Sequence, residues 1–196
     1  MPNWCTNWLS ICGPPDILDD FIKICKSDQA EDGWEIIDNH YPVPKDLKEV
    51  TSRFGTIADD DPDKEQKQKN EQEYGAVDWY EWCIANWGTK WADCNTEKVD
   101  ESETSEQSLK KVMFRFDSAW SPPCEAFDTI AMLFPKLMFD LRYEEPGMCF
   151  QGFRIWGDGE HKGGADMDYM ASGEMVYDMM DWDYDQYVTV LGEDDD

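Results

Sequence analysis

The stretch 112–143, VMFRFDSAWSPPCEAFDTIAMLFPKLMFDLRY, decides the fold class. Val112, Phe114 and Phe116 alternate with Met113, Arg115 and Asp117, the two-residue period of a strand with one covered face. Ser121, Pro122 and Pro123 then stop the strand. Ser121 is expected as a helix N-cap, with the prolines in the first turn, where a missing N–H is harmless. Phe127, Ile130, Ala131 and Phe134 form the apolar stripe of that helix, and Pro135 ends it. Leu137, Phe139, Leu141 and Tyr143 alternate again, so the stretch reads strand, helix, strand.

Upstream, Trp4 to Cys12 alternates in the same way, with Trp4, Thr6 and Trp8 on one face and Cys5, Asn7, Leu9 and Ile11 on the other. Gly13-Pro14-Pro15 breaks it, and Ile17, Leu18, Phe21, Ile22 and Cys25 form a helical stripe, with Asp16, Asp19 and Asp20 near its positive end. Tyr41-Pro42-Val43-Pro44 is extended, because each proline drives its predecessor out of the helical region. Residues 59–73 are polar and read as a surface loop or an exposed helix. Trp79, Trp82, Cys83 and Asn86 mark a further helix, with Gly88 as its terminator. Residues 95–108 are acidic and rich in Ser and Thr, so a mobile loop is expected.

Downstream, Glu145-Pro146-Gly147 turns the chain into a fourth strand, Met148 to Trp156. The order is strand, helix, long insertion, strand, helix, strand, strand. It predicts an α+β fold of the ferredoxin-like kind, a split βαβ sandwich with helices on one sheet face and a tryptophan-rich core. The expected domain spans 1–157, with a variable acidic insertion at about 28–110. Residues 158–196 form an acidic, aromatic-rich C-terminal extension.

The net charge of -27 is unevenly placed. Residues 1–58 carry -5, residues 59–110 carry -9, residues 111–157 only -1, and residues 158–196 carry -12. The best-patterned part is near neutral and the acid lies at its periphery. A domain of this length is roughly 42 Å across, a span over which B-DNA presents about 25 phosphate charges. With 17 Lys and Arg against 44 acids, direct binding to DNA or RNA is disfavoured. Aromatics at 14% argue against general disorder. No apolar run approaches the ~20 residues of a membrane span, the first residues do not resemble a secretory signal, and the cytoplasm of a bacterial host cell is the expected location.

Several blocks together resemble one family. Met1-Pro2-Asn3-Trp4-Cys5, Gly13-Pro14, Asn86-Trp87-Gly88-Thr89-Lys90-Trp91, Ala119-Trp120-Ser121-Pro122-Pro123 and Tyr143-Glu144-Glu145-Pro146-Gly147 are similar to the YubB-type ferredoxin-like family. Its members are small proteins of bacteriophages and conjugative plasmids, and most have no assigned function. The resemblance covers roughly residues 1–157 and implies a ferredoxin-like fold and a mobile-element origin. It supplies no catalytic residues. For Trp4, Asn86, Trp87, Gly88, Thr89, Lys90, Trp91, Trp120, Ser121 and Pro122 the expected role is structural, closing the core around a helix end.

Seven Cys show no CxxC pair, and with only His40 and His161 a Cys/His zinc site is hard to assemble. The Cys read as small core residues. Asp181-Trp182-Asp183-Tyr184-Asp185 starts like a calcium loop, but Gln186 stands where such a loop needs Gly and Gly192 where it needs Glu. No metal or cofactor is expected. Residues 157–164 are glycine-rich without a phosphate-gripping Gly-Lys-Ser/Thr ending, and read as a loop. Spacing suggests no Cys–His or Ser–His dyad, so the chain is read as a non-enzyme.

The expectation is an acidic binding protein that mimics nucleic acid and occupies the basic groove of a host protein, such as a defence component. Asp158, Glu160, Asp166, Asp168, Glu174, Asp178, Asp181, Asp183 and Asp185 would replace phosphates, with Trp182 and Tyr184 as apolar anchors. One alternative is an interaction module whose acids serve solubility alone, and another, ranked lower, is a divalent-metal-binding protein that uses the Asp cluster of Asp178, Asp181, Asp183 and Asp185.

Overall fold

Strand β1 (Trp4–Gly13) lies inside the sheet and is flanked on both sides by antiparallel neighbours. The computed structural model describes residues 2–28, 33–52, 58–103 and 109–168. After β1 come α1 (Pro15–Ile24), the short α2 (Ile37–His40) and α3 (Lys45–Lys48), α4 (Lys64–Tyr74) and α5 (Trp79–Trp87). Then follow β2 (Cys94–Glu103), β3 (Lys110–Ala119), α6 (Cys124–Leu133), β4 (Met138–Glu145), β5 (Phe150–Gly157) and β6 (Glu160–Asp168).

The described residues form one antiparallel sheet in the order β2-β3-β1-β4-β5-β6. Its first four strands are the ferredoxin-like unit: β1 and β2 are joined through helices with β3 slotted between them, and β3 and β4 through α6 with β1 between. The β5–β6 hairpin extends the β4 side. Cys5, Leu9 and Ile11 of β1, Val112, Phe114 and Phe116 of β3, and Phe139 and Leu141 of β4 are wholly buried. They meet Leu18 and Phe21 of α1 and Phe127 and Ile130 of α6 in one core. The α1 and α6 stripes, β1, β3 and β4 are therefore as their periodicity predicts.

The core itself differs from the expectation. It is built mainly of Phe, Leu and Ile; of the ten Trp, only Trp82, Trp87 and Trp156 are buried among the described residues. Indole is too large and too polar at one edge for most core positions, and Trp34 and Trp79 pack only against the core's margin.

Three stretches read as loop or exposed surface are otherwise. Of residues 95–108, expected as a mobile loop, those up to Glu103 belong to the edge strand β2, whose pairing with β3 contains register shifts near Cys94 and Lys98, and 104–108 lie outside the described residues. Two acids of β2 are matched from the neighbouring strand β3: Arg115 reaches Glu97 at 3.4 Å and Lys110 reaches Glu101 at 2.5 Å. Hydrogen bonds from Lys110 and Lys98 hold the Glu101 carboxyl down at about 2. An edge strand bearing charge also resists pairing with other chains. Residues 157–164, expected as a loop, are the β5–β6 turn and the start of β6, which pairs with β5 along its length. The sheet therefore runs through the expected domain boundary at 157. Helix α4 is polar as expected but not simply exposed, because Lys67 and Asn70 are buried.

Smaller corrections concern ends. The fourth strand starts at Phe150 rather than Met148, after a turn in which Cys149 takes φ 60°. The residue before α6 is Pro123 and no side chain caps that helix. Ser121 instead donates to the Gly88 carbonyl at 2.7 Å. No helix among the described residues is long and apolar enough to cross a membrane.

Candidate functional site

Three segments far apart in sequence meet at one end of the sheet: 3–4, 86–91 and 119–123. Antiparallel pairing sets Trp4 opposite Ala119. Helix α5 starts at Asp78, whose carboxylate accepts from the Tyr80 and Glu81 amides, and ends at Gly88 with φ 79°. The chain then turns back to the sheet. Thr89 donates to the Ala119 carbonyl at 2.6 Å, and the Ala119 amide donates to the Trp91 carbonyl at 2.9 Å. The Trp120 amide donates to the Asn3 carbonyl at 2.9 Å.

The other motif residues are also accounted for. Asn86 donates to the Trp82 carbonyl and accepts from the Tyr41 hydroxyl at 2.7 Å. The Trp87 indole donates to the Tyr41 carbonyl at 3.0 Å. Pro122 is half-buried ahead of α6. These contacts tie Asn86, Trp87, Gly88, Thr89 and Ser121 into the fold.

What that role leaves unexplained is Trp4, Trp91, Trp120 and Lys90. The three tryptophans are 39%, 38% and 38% exposed, a large fraction for indole at the junction of three segments. Trp120 also carries φ 68°, a conformation a bulky residue seldom adopts. Trp4 stacks on Trp91 with ring centres 6.2 Å apart. The Lys90 ammonium sits 4.1 Å from the Trp91 ring centre, 5.6 Å from Trp79 and 5.7 Å from Tyr80. It makes no hydrogen bond or ion pair among the described residues. Beside it opens a pocket of about 340 Å³, lined by Val43, Trp79, Cys83, Trp87 and Trp91 and by the charged side chains of Asp38, Lys48 and Lys90. Spacing alone could not reveal this pocket, because Val43 and Lys48 reach it from a different part of the chain.

The acids expected to contact a partner are placed differently. Asp158, with φ 52° in the β5–β6 turn, and Glu160 both face Lys162, at 3.0 and 4.0 Å. Asp166 pairs with Arg154 at 2.6 Å and accepts from the Tyr143 hydroxyl. Asp168 pairs with Phe150 at the far end of β6. The four thus divide between the β5–β6 turn and the far end of β6, and Asp158, Glu160 and Asp166 face internal cations. Glu174, Asp178, Asp181, Trp182, Asp183, Tyr184 and Asp185 lie outside the described residues, as does the calcium-like loop.

The fold does bring one Cys–His pair together that spacing did not suggest, with Cys25 Sγ 3.5 Å from His40 Nε2. Burial pushes the thiol well above its ordinary range and the imidazole down to about 4. Both are neutral near pH 7, so the pair is not a thiolate–imidazolium nucleophile. His40 stacks on Phe21 at 4.1 Å and belongs to the packing. Among the described residues, no group of three His, Cys, Asp or Glu side chains could hold a metal ion.

The crystal structure of a protein api92 from Yersinia pseudotuberculosis has a similar fold, with a TM-score of 0.52 at 12% identity, over 85% of this chain and 98% of that one. No curated protein matches the chain. The model of the ferredoxin-like domain in Api92-like protein matches residues 65–185, a span that includes β2 through β6 together with α4, α5 and the 86–91 turn. The chain belongs to that ferredoxin-like family.

Proposed function

We propose that this chain is a non-enzymatic binding protein that engages a basic partner through the surface formed by Trp4, Trp91 and Trp120. The observation that carries the reading is the half-exposure of these three tryptophans, delivered by three separate segments to one end of the sheet. Tryptophan is the residue most enriched among binding hot spots. An isolated protein has little reason to leave three of them wet together. The net charge of -27 supplies long-range attraction for a Lys- and Arg-rich surface, whose cations also suit indole faces.

The mobile-element setting of the YubB-type resemblance belongs to the same proposal. A defence component or another nucleic-acid-binding host protein would present such a basic surface. The apolar anchors in this reading are Trp4, Trp91 and Trp120, in place of Trp182 and Tyr184. The ion pairs of Asp158, Glu160 and Asp166 favour general electrostatic attraction over a phosphate-like array on β6.

The test is affinity capture of basic bacterial proteins on the immobilised chain. Retention at low salt, release at high salt, and loss of retention in a Trp4→Ala/Trp120→Ala variant would support the reading. Unchanged retention by that variant would overturn it. Release by double-stranded DNA would further support nucleic-acid mimicry, and its failure would reduce the function to a plain interaction module.

A further inference from the structure

The pocket beside Lys90 has a composition that the partner surface does not require. We propose that it binds a small planar aromatic anion, with the ring held between tryptophans and the negative group held by the Lys90 ammonium. At about 340 Å³ the space is at the small end of ligand pockets, enough for a single ring system with one acidic substituent.

Its walls select a flat, apolar body. Trp79, Trp87 and Trp91 line it together with Val43. The indole N–H of Trp87 is already taken by the Tyr41 carbonyl, which leaves that ring only an apolar face to offer.

Its rim selects negative charge. Of the three charged side chains that line it, Lys48 and Asp38 match each other at 2.8 Å and neutralise one another, which leaves the charge of Lys90. Lys90 is not matched by any carboxylate among the described residues, in a chain holding 44 acids. The aromatic rings steady its ammonium through their faces but accept none of its N–H donors in the way an oxygen would. A carboxylate or phosphate oxygen would satisfy those donors with charge assistance. A cationic ligand would instead meet the like charge of Lys90. A neutral ring would leave the ammonium partly desolvated and unpaired.

Benzoate, phenyl phosphate, benzamide and benzylamine, titrated into the full chain and followed by tryptophan fluorescence and by the indole N–H signals in NMR, test the proposal. Saturable binding of benzoate or phenyl phosphate, with benzamide weaker and benzylamine weakest, is the expected result; the tighter of the two anions identifies a carboxylate or a phosphate ligand. Lys90→Gln should weaken the anion by about tenfold and leave benzamide unchanged, while Lys90→Arg should retain anion binding. No saturable change with either anion at millimolar concentration, or benzylamine binding as tightly as benzoate, would overturn it. The wild-type ranking decides the matter even if a Lys90 variant fails to fold. Trp120→Ala, which removes an anchor of the proposed partner surface that does not line the pocket, should weaken partner retention and leave these titrations intact, so failure of the two readings can be told apart.

Discussion

Lys67 Nζ lies 2.7 Å from Asp61 Oδ2, with side chains only 3% and 2% exposed, inside a segment whose sequence is almost entirely polar. Asp61 also accepts from the Asp63 amide at 2.9 Å. A buried ion pair is costly to assemble but costlier to break, because the survivor is left charged without water. Lys67→Met should therefore destabilise the fold by about 3–5 kcal/mol, read as a lower urea midpoint. Asp61→Leu/Lys67→Met should recover most of the loss. A single variant with unchanged stability would show that the pair is hydrated in solution.

His40 and Asp93 should give opposing pH dependences in one window. The folded His40 imidazole titrates at about 4 because burial disfavours its charge, whereas the unfolded one titrates near 6.5. Between those values the unfolded chain binds the extra proton. The contribution is thus fully present above about 6.5 and lost as the pH falls to about 4, amounting to about 3 kcal/mol. Asp93 accepts from the Ile36 and Ile37 amides at 2.5 and 2.8 Å, yet burial pushes its carboxyl up to about 7. Its folded value lies above the unfolded one, so its contribution is present in acid and lost as the pH rises towards 7. Urea midpoints measured from pH 4 to pH 7 should change little in the wild type. They should rise clearly with pH in Asp93→Asn and fall with pH in His40→Phe.

Two glycines should differ in their tolerance of a methyl group. At Gly88 an added Cβ would meet the Glu125 carboxylate, the far end of an exposed chain that can swing away. Gly88→Ala should then cost only about 1 kcal/mol, the penalty for the left-handed conformation. At Gly152 the Cβ would fall 2.5 Å from the Ala165 carbonyl oxygen and 2.6 Å from the Tyr143 hydroxyl. Neither the β6 backbone nor the buried Tyr143 can yield, so Gly152→Ala should cost about 3 kcal/mol. Thermal unfolding of the two variants compares them directly.

Thiol accessibility provides a further check. Of the seven Cys, Cys149 is exposed in its turn, while Cys5, Cys25 and Cys83 are buried and Cys12, Cys94 and Cys124 are half-buried, the Cys124 thiol being pushed up to about 12 by burial. A disulfide reagent at neutral pH should modify one thiol rapidly in the native protein and all seven after unfolding. Cys149→Ser should abolish the rapid phase. Several rapid thiols in the wild type would contradict the packing around α1, α5 and α6.

The sequence by itself determined β1, α1, α5, β3, α6, β4 and the body of β5, because burying one face of each element imposes a period of two or of about four on its apolar residues. It also identified Asn86 to Trp91 and Ala119 to Pro123 as one related set, although it could not assign Ser121 to Gly88 rather than to its own helix. Only the tertiary structure decided β2 and β6. These are the two edges of the sheet, their residues are held chiefly by backbone pairing and cross-strand charges, and no face is sufficiently covered to leave an apolar rhythm. The buried pairing of Lys67 with Asp61, the neutral contact of Cys25 with His40, and the pocket around Lys90 were likewise decided by folding. Burial and proximity there are set by residues from other segments, and a single segment's composition carries no record of its neighbours.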